Sequence, residues 1–393
     1  MNLLKARSQL FKAAVIIFLA VLSTSNLLWA EGEDNKIVIG EQLTLESEIL
    51  NEARQIQVYL PAGYEGASAK YPVLYILDGG YHFHHVTGIV QFLSSQGLIP
   101  QTIVVAIKNV DRNRDFLPTH IEKAPTSGGA EKFLTFITNE LIPYIEDNYR
   151  TQPYRILVGH SFGGTFTTYT FLEKPGTFNS YFAISPYLHW DEQWLITQAE
   201  TALRPSYIKN KYFYMTLGYE PPYIPAIDKF TSLIETKAPE NLEFTYTHMI
   251  EETHGSIPHL SIYHGLEKLY DGWALKKEKY EEGLAAINNH YKDISEKYNY
   301  DIQTPEYVIN LLGYNYLNKK EFEKAIEVFQ ENIKRFPASA NVYDSLGEAY
   351  ENNEQFELAK ENYAKACELA KEDDPNLNVF KKNLERIQKT LTD

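Results

Sequence analysis

Cysteine is almost absent: Cys367 is the only one in 393 residues. A single thiol excludes an intramolecular disulfide and any multi-cysteine metal site. Positive charge is in deficit, with 37 Lys and Arg against 52 Asp and Glu and a net charge of −15. Such a chain repels phosphate backbones, which argues against nucleic acid as a partner. Long apolar runs are lacking too. The conspicuous one, Ala13 to Leu22 (AAVIIFLAVL), is half the ~20 residues needed to cross a bilayer. The remaining composition is globular, with 44% hydrophobic and 23% charged residues, which excludes a mainly disordered or collagen-like chain. The length allows one to three domains. The 29 tyrosines point to aromatic-rich surfaces without identifying a ligand.

Lys5, Arg7 and Lys12 flank the apolar run on its N-terminal side, and polar Ser23 to Asn26 follow it. This pattern predicts an export signal over residues 1–30, with Ala30 as the cleavage position. The alternative is a retained anchor helix in which Leu27 to Trp29 extend the run. The expected location is periplasmic or secreted, with no stable membrane span after signal removal.

Residues 31–275 alternate strand-like and helix-like segments. Val73 to Leu77, Thr102 to Ile107, Arg155 to Val158, Tyr181 to Ile184 and Tyr212 to Leu217 are apolar runs suited to strands covered on both faces. Glu131 to Tyr149 places Phe133, Phe136, Ile137, Leu141 and Tyr144 at helical spacing. This alternation predicts an α/β domain with a mostly parallel sheet, whose active site would sit at the carboxyl ends of the strands. Residues 276–304 read as a connecting helix, centred on Glu278 to Tyr298. From residue 305 the strand-like runs stop and a repeat with offset 34 begins. Leu312-Gly313 matches Leu346-Gly347, Tyr316 matches Tyr350, Phe322 matches Phe356, Ala325 matches Ala359 and Phe329 matches Tyr363. This period and pattern resemble the tetratricopeptide repeat, so residues 305–393 are expected to form an all-α tail closed by a capping helix over Asn378 to Leu391. Cys367 falls in the second repeat as a small packing residue.

Gly159-His160-Ser161-Phe162-Gly163 follows the strand-like Arg155 to Val158 and precedes the helical Thr165 to Leu172. Strand, G-x-S-x-G and helix in that order form a nucleophile elbow, a sharp turn that lifts the serine hydroxyl above the sheet. The Phe162 N–H would then face a developing oxyanion. Serine needs a base at neutral pH, and His254, after the strand-like Glu243 to Ile250, fits the Ser, acid, His chain order. His248 is expected to pack within its strand, and His259 and His264 to be structural or rim residues. Glu220, directly after Tyr212 to Leu217, is the leading acid; Asp228, on an expected helix, is the runner-up. Gly80, in the turn Asp78-Gly79-Gly80-Tyr81, is the second oxyanion donor, with Asp78 bracing the turn.

His82, His84 and His85 sit beside that turn without a carboxylate at ligand spacing, so they read as pocket lining and not as a metal site. Arg112 or Arg114 could clamp an anionic substrate; the competing reading is a local Asp–Arg salt-bridge set.

Four segments together resemble the esterase branch of the α/β-hydrolases that includes siderophore and feruloyl esterases. They are Tyr71 to Gly79, Gly159 to Gly164, Ala183 to Trp190, and His254 to His259. The resemblance covers about residues 40–275. It implies an α/β-hydrolase fold, a triad of Ser161, His254 and Glu220, and an oxyanion hole from Gly80 and Phe162. Tyr81, Arg114, His189 and Trp190 become expected substrate-binding residues. The expected activity is cofactor-free hydrolysis of a small-molecule carboxylic ester. An acyltransferase using the same triad, and an interaction protein binding a protein partner through its repeats, are the alternatives.

Overall fold

The computed structural model describes residues 36–65, 68–203, 210–372 and 374–392. The expected export signal lies outside them. From Gly40 onward the chain forms one unit. Its strands are β1 (Glu41–Ser47), β2 (Glu52–Tyr59), β3 (Tyr71–Ile76), β4 (Ile103–Ile107), β5 (Thr151–His160), β6 (Ser180–Ile184), β7 (Lys211–Leu217) and β8 (Leu242–His248). They make one sheet in the order β1-β2-β4-β3-β5-β6-β7-β8. β1 pairs with β2, and β2 with β4, antiparallel; the other neighbours are parallel. This is the mostly parallel α/β architecture that the sequence predicts, with an antiparallel edge added. β1 is largely exposed and lacks the apolar run that marks a central strand, so that criterion passes over it.

β3 shows why the central strands read as unbroken apolar runs. Val73 and Tyr75 enter the hydrophobic cluster on one face of the sheet, Leu74 and Ile76 the cluster on the other. Side chains alternate along a strand, so a strand covered on both sides must be apolar throughout. The expected helix over Glu131 to Tyr149 is present but interrupted: Ala130–Phe136 and Ile142–Asn148 flank a π turn at Ile137–Leu141. Pro143, which has no N–H to donate, sits just beyond that turn.

The expected connecting helix is also two helices, Lys277–Glu281 and Leu284–Tyr298. Gly283 between them has φ 98°, a conformation that ends a helix. The tail then runs Glu306–Asn318, Phe322–Arg335, Ala340–Asn352, Phe356–Leu369 and Leu377–Thr390. The offset of 34 has a direct packing reason. A Cβ on Gly313 would collide with the ring of Phe329, and one on Gly347 would lie 2.7 Å from the ring of Tyr363. Each repeat thus brings its two helices together through a glycine under an aromatic ring. Cys367 is partly buried beside Ala340, Ala366 and Phe380.

Tyr81, Tyr219 and Tyr307 are exposed as the expected aromatic surface implies, but many other tyrosines are buried. Tyr154, Tyr270 and Tyr298 are buried together where helix Leu284–Tyr298 packs on the sheet domain, with Tyr154 and Tyr298 5.5 Å apart and Tyr270 and Tyr298 5.2 Å apart between ring centroids. Interior tyrosines cost least where the hydroxyl finds a partner, which two of these three do and the buried Tyr270 hydroxyl does not. Tyr298 donates to the Leu269 carbonyl at 3.0 Å, and Tyr154 bonds Ser180 at 2.9 Å. Ile287, Tyr291 and Ile294 join the same core as Val308, Ile309 and Leu312 of the first repeat.

Candidate active site

Ser161 directly follows β5 at φ 59°, ψ −120°, outside the regions that a serine adopts without strain. The turn closes only because its neighbours are small. A Cβ on Gly159 would lie 2.6 Å from Thr167 Oγ1, and one on Gly164 2.9 Å from the Ile184 carbonyl. Helix Phe162–Glu173 begins immediately after Ser161, so the Phe162 N–H is among the first-turn donors that have no intrahelical acceptor. Gly80, second in helix Gly79–Ser95 after β3, is likewise a first-turn donor. Space above Gly80 is open, whereas a Cβ on Gly79 would lie 3.0 Å from the Ala106 backbone. Two helix N-termini therefore end at the carboxyl edge of the sheet, where both favour developing negative charge.

Glu220 follows β7 and His254 follows β8. These strands are parallel neighbours, so their exits lie side by side. His254 Nδ1–H donates to Glu220 Oε1 at 2.5 Å. The other carboxylate oxygen accepts from Ser185 Oγ at 2.5 Å and from Gly218 N–H at 3.1 Å. Burial raises the Glu220 carboxyl, but the bonds from His254, Ser185 and Gly218 outweigh it and hold the group below its ordinary value. Asp228 is exposed on helix Ile224–Lys237, while the Nδ1 edge of His254 is taken by Glu220.

The His254 ring lies 4.4 Å from that of His160, the residue preceding Ser161. His160 leads on to a chain of imidazoles: its ring is 5.9 Å from that of His82, and His82 Nδ1 is 2.9 Å from His85 Nε2. Burial, then the neighbouring His254, His82 and Arg112, push His160 down to about 3, and burial with His82, His259 and His84 pushes His85 down to about 4. These rings are neutral at ordinary pH. Among the described residues no group of three His, Cys, Asp or Glu is arranged to hold a metal ion.

Asp78 braces its turn. It accepts from Asn109 Nδ2, from Arg112 Nε at 2.7 Å and from Arg112 Nη2 at 3.0 Å. Arg112 Nη2 also donates to the His160 carbonyl at 3.0 Å, so one guanidinium links the Gly80 turn to the serine elbow. Arg114 is committed elsewhere, to Glu52 at 2.6 and 2.9 Å and to Asp115 at 2.8 Å. This matches the salt-bridge reading for Arg114, with a partner 62 residues away rather than a purely local one.

The aromatic wall joins Phe162 to Tyr187 at 5.8 Å and to Trp190 at 6.1 Å, and Tyr223 to Tyr187 at 5.3 Å, His189 at 6.3 Å and His254 at 5.9 Å. Tyr81 is 84% exposed at the Gly80 turn. Sequence reasoning passed over Tyr223 and Ser185. Tyr223 had a signal, Pro221-Pro222-Tyr223 directly after Glu220; Ser185 lies within the Ala183 to Trp190 segment that carries the resemblance, which gave it no role of its own. His248 is exposed rather than packed, because β8 is the sheet's edge strand; its Nε2 lies 3.2 Å from the Gly218 carbonyl. His259 and His264 are exposed on helix Ile257–Leu269.

Comparison with known proteins follows this geometry. Ferri-bacillibactin esterase BesA of Bacillus subtilis is 34% identical over 153 residues, covering 34% of this chain and 53% of that protein. Siderophore triacetylfusarinine C esterase of Aspergillus fumigatus is 30% identical over 175 residues, covering 41% and 60%. The chain thus spans about half to three-fifths of the length of these curated relatives. Among solved structures, an IroE-like serine hydrolase from Shewanella oneidensis matches with TM-score 0.65 at 27% identity, covering 76% of this chain and 99% of that one. Tetratricopeptide-repeat matches cover residues 307–338 and 340–373. The family described as Putative esterase matches residues 47–261, more than half of the sequence, and the chain belongs to it.

Proposed function

We propose that this protein is an exported serine esterase in which Ser161 is the nucleophile, His254 the base and Glu220 the acid that orients it. The observation that carries this reading is the 2.5 Å bond from His254 Nδ1 to Glu220 on an imidazole packed 4.4 Å from His160, next to the strained Ser161. Ser161 Oγ attacks the ester carbonyl carbon while His254 Nε2 takes its proton. The carbonyl electron pair moves onto oxygen, facing the Gly80 and Phe162 N–H groups. Collapse breaks the ester C–O bond, and the leaving alkoxide receives the proton from His254. Water, deprotonated by His254, then attacks the acyl carbon; the bond to Ser161 Oγ breaks, Oγ takes the proton back from His254, and the acyl group leaves as a carboxylic acid.

The substrate class we propose is a siderophore ester. Its support is the naming of two relatives as siderophore-type esterases and the partly exposed rings of Phe162, Tyr187 and Tyr223, backed by the buried Trp190, whose π-faces suit aromatic acyl groups. Tyr81 and His189 complete the proposed lining. Export is proposed from the Lys5 to Ala30 pattern alone, and a protein partner from the solvent-facing surfaces that helical repeats present.

Ser161→Ala should abolish p-nitrophenyl ester hydrolysis and labelling by a fluorophosphonate while the fold is kept. Wild-type turnover in that variant would sink the mechanism. A panel of short acyl esters, feruloyl esters and ferric siderophores, with products identified by mass spectrometry, tests the substrate class. Acyl groups recovered on an added alcohol instead of water would favour acyl transfer.

A further inference from the structure

We propose that Ser185 is a positioning residue: its hydroxyl holds the Oε2 edge of Glu220 so that Oε1 is presented to His254. This assignment rests on the triad reading above. Ser185 is fully buried, and its Oγ donates to Glu220 Oε2 at 2.5 Å. Its backbone adopts φ 39°, a left-handed value that is costly for any residue with a Cβ. Glycine would sit there with less strain, so packing alone gives no reason for serine.

The turn around Ser185 touches both halves of the site. The preceding carbonyl, Ile184 O, accepts the Ser161 N–H at 2.9 Å. The Ser185 N–H donates to the Thr216 carbonyl on β7 at 2.8 Å. Pro186 lies against Gly164 on the elbow helix, and the Tyr187 N–H donates to Thr165 Oγ1 at 3.0 Å. Ile184-Ser185-Pro186 is therefore a single rigid reference to which the nucleophile is fixed through backbone and the acid through one side chain.

Glutamate makes that reference necessary. It carries one more rotatable bond than aspartate, so its carboxylate has more freedom to lose before it can orient an imidazole. The Gly218 N–H also bonds Oε2, but Gly218 lies two residues from Glu220 on the same loop and moves with it. Ser185 bonds the carboxylate from a different strand, which is what fixes the loop relative to Ser161. Hydrogen bonds to a charged acceptor are among the stronger ones in proteins.

The test uses Ser185→Ala and Ser185→Gly in the full chain, with Glu220→Gln as a second background and Ser161→Ala as the inactive reference. Both Ser185 variants should lose roughly ten- to a hundredfold in kcat with KM within about twofold. Ser185→Gly should keep the wild-type melting temperature, since it relieves the positive φ, and it remains informative if the alanine variant folds poorly. In the Glu220→Gln background, removing the Ser185 hydroxyl should cost at most about twofold more, because the two act as one unit. Wild-type kcat in a folded Ser185→Gly enzyme would overturn the proposal, as would an undiminished loss in the Glu220→Gln background. Retained turnover in Ser161→Ala would instead overturn the triad reading itself, so the two failures are distinct.

Discussion

The backbone N–H of Tyr219 donates to the carbonyl of Glu252 at 2.7 Å, which stitches the loop carrying Glu220 to the loop carrying His254. The seam extends from the parallel pairing of β7 and β8, continues through Met249 N–H to the Leu217 carbonyl at 2.7 Å, and ends at the acid–imidazole bond. Acid and base are thus held together by main chain as well as by their own contact.

Gly218 lies at the tightest point of that seam, where a Cβ would come 2.7 Å from the Glu252 carbonyl. Gly218→Ala should push the two loops apart and lower kcat about a hundredfold, the usual consequence of a displacement near 1 Å in a catalytic group. Steady-state kinetics on the folded variant checks this; an unchanged kcat would show that the seam does not set the geometry.

His160 makes acid costly for the fold. Its pKa falls from 6.5 to about 3 on folding, chiefly through burial. The unfolded chain therefore binds the proton more readily below pH 6.5, and stability is lost as pH falls from there toward 3. His160→Phe removes this penalty while keeping a ring. Relative to wild type, its stability should improve by about 2 kcal/mol on going from pH 7.5 to pH 5. Urea unfolding at both pH values measures the difference; a pH-independent difference would mean that His160 titrates normally.

Arg114 belongs to a network with Glu52, Asp115 and the fully buried Arg54, which itself bonds Glu52 at 2.7 Å and Asp115 at 2.8 Å. Arg114→Ala should lower the melting temperature by several degrees, through about 1–3 kcal/mol lost from these charge-assisted bonds, and leave KM unchanged for neutral and anionic esters. A selective rise in KM for anionic esters would restore Arg114 as a substrate clamp.

The repeat tail shares a core with the sheet domain, so the two should unfold together. Gly347→Val forces a branched side chain under Tyr363 and should cost about 1–3 kcal/mol. One transition by calorimetry, shifted downward as a whole, is expected. Deleting residues 305–393 should reduce solubility, because Ile287, Tyr291 and Ile294 would lose their cover from Val308, Ile309 and Leu312. A soluble, fully active truncation would show that the tail is dispensable for the fold.

Features carried by neighbouring residues were legible in the chain itself. The elbow needs Gly159, Ser161 and Gly163 within five positions, a strand covered on both faces needs an apolar run, and a repeat needs Gly347 under Tyr363 sixteen positions later. Each has a period or a spacing that a single sequence displays. The break at Gly283 and the π turn before Pro143 were harder to read, because helical periodicity runs through both.

What the sequence by itself determined, then, is the order of strand, turn and helix around Ser161, the parallel sheet behind it and the helical repeats after it. The places of Ser161, Glu220 and His254 after strand-like runs also marked them as triad candidates; only the tertiary structure decided which polar side chains meet. Glu220 faces His254 because β7 and β8 are neighbours in space, Arg114 is taken by Glu52 from a distant strand, and Ser185 reaches Glu220 across the sheet edge. Backbone preferences and hydrophobic periodicity act over a few residues and leave a local trace. Hydrogen bonds between side chains are set by the packing of whole elements, and no spacing in the chain records them.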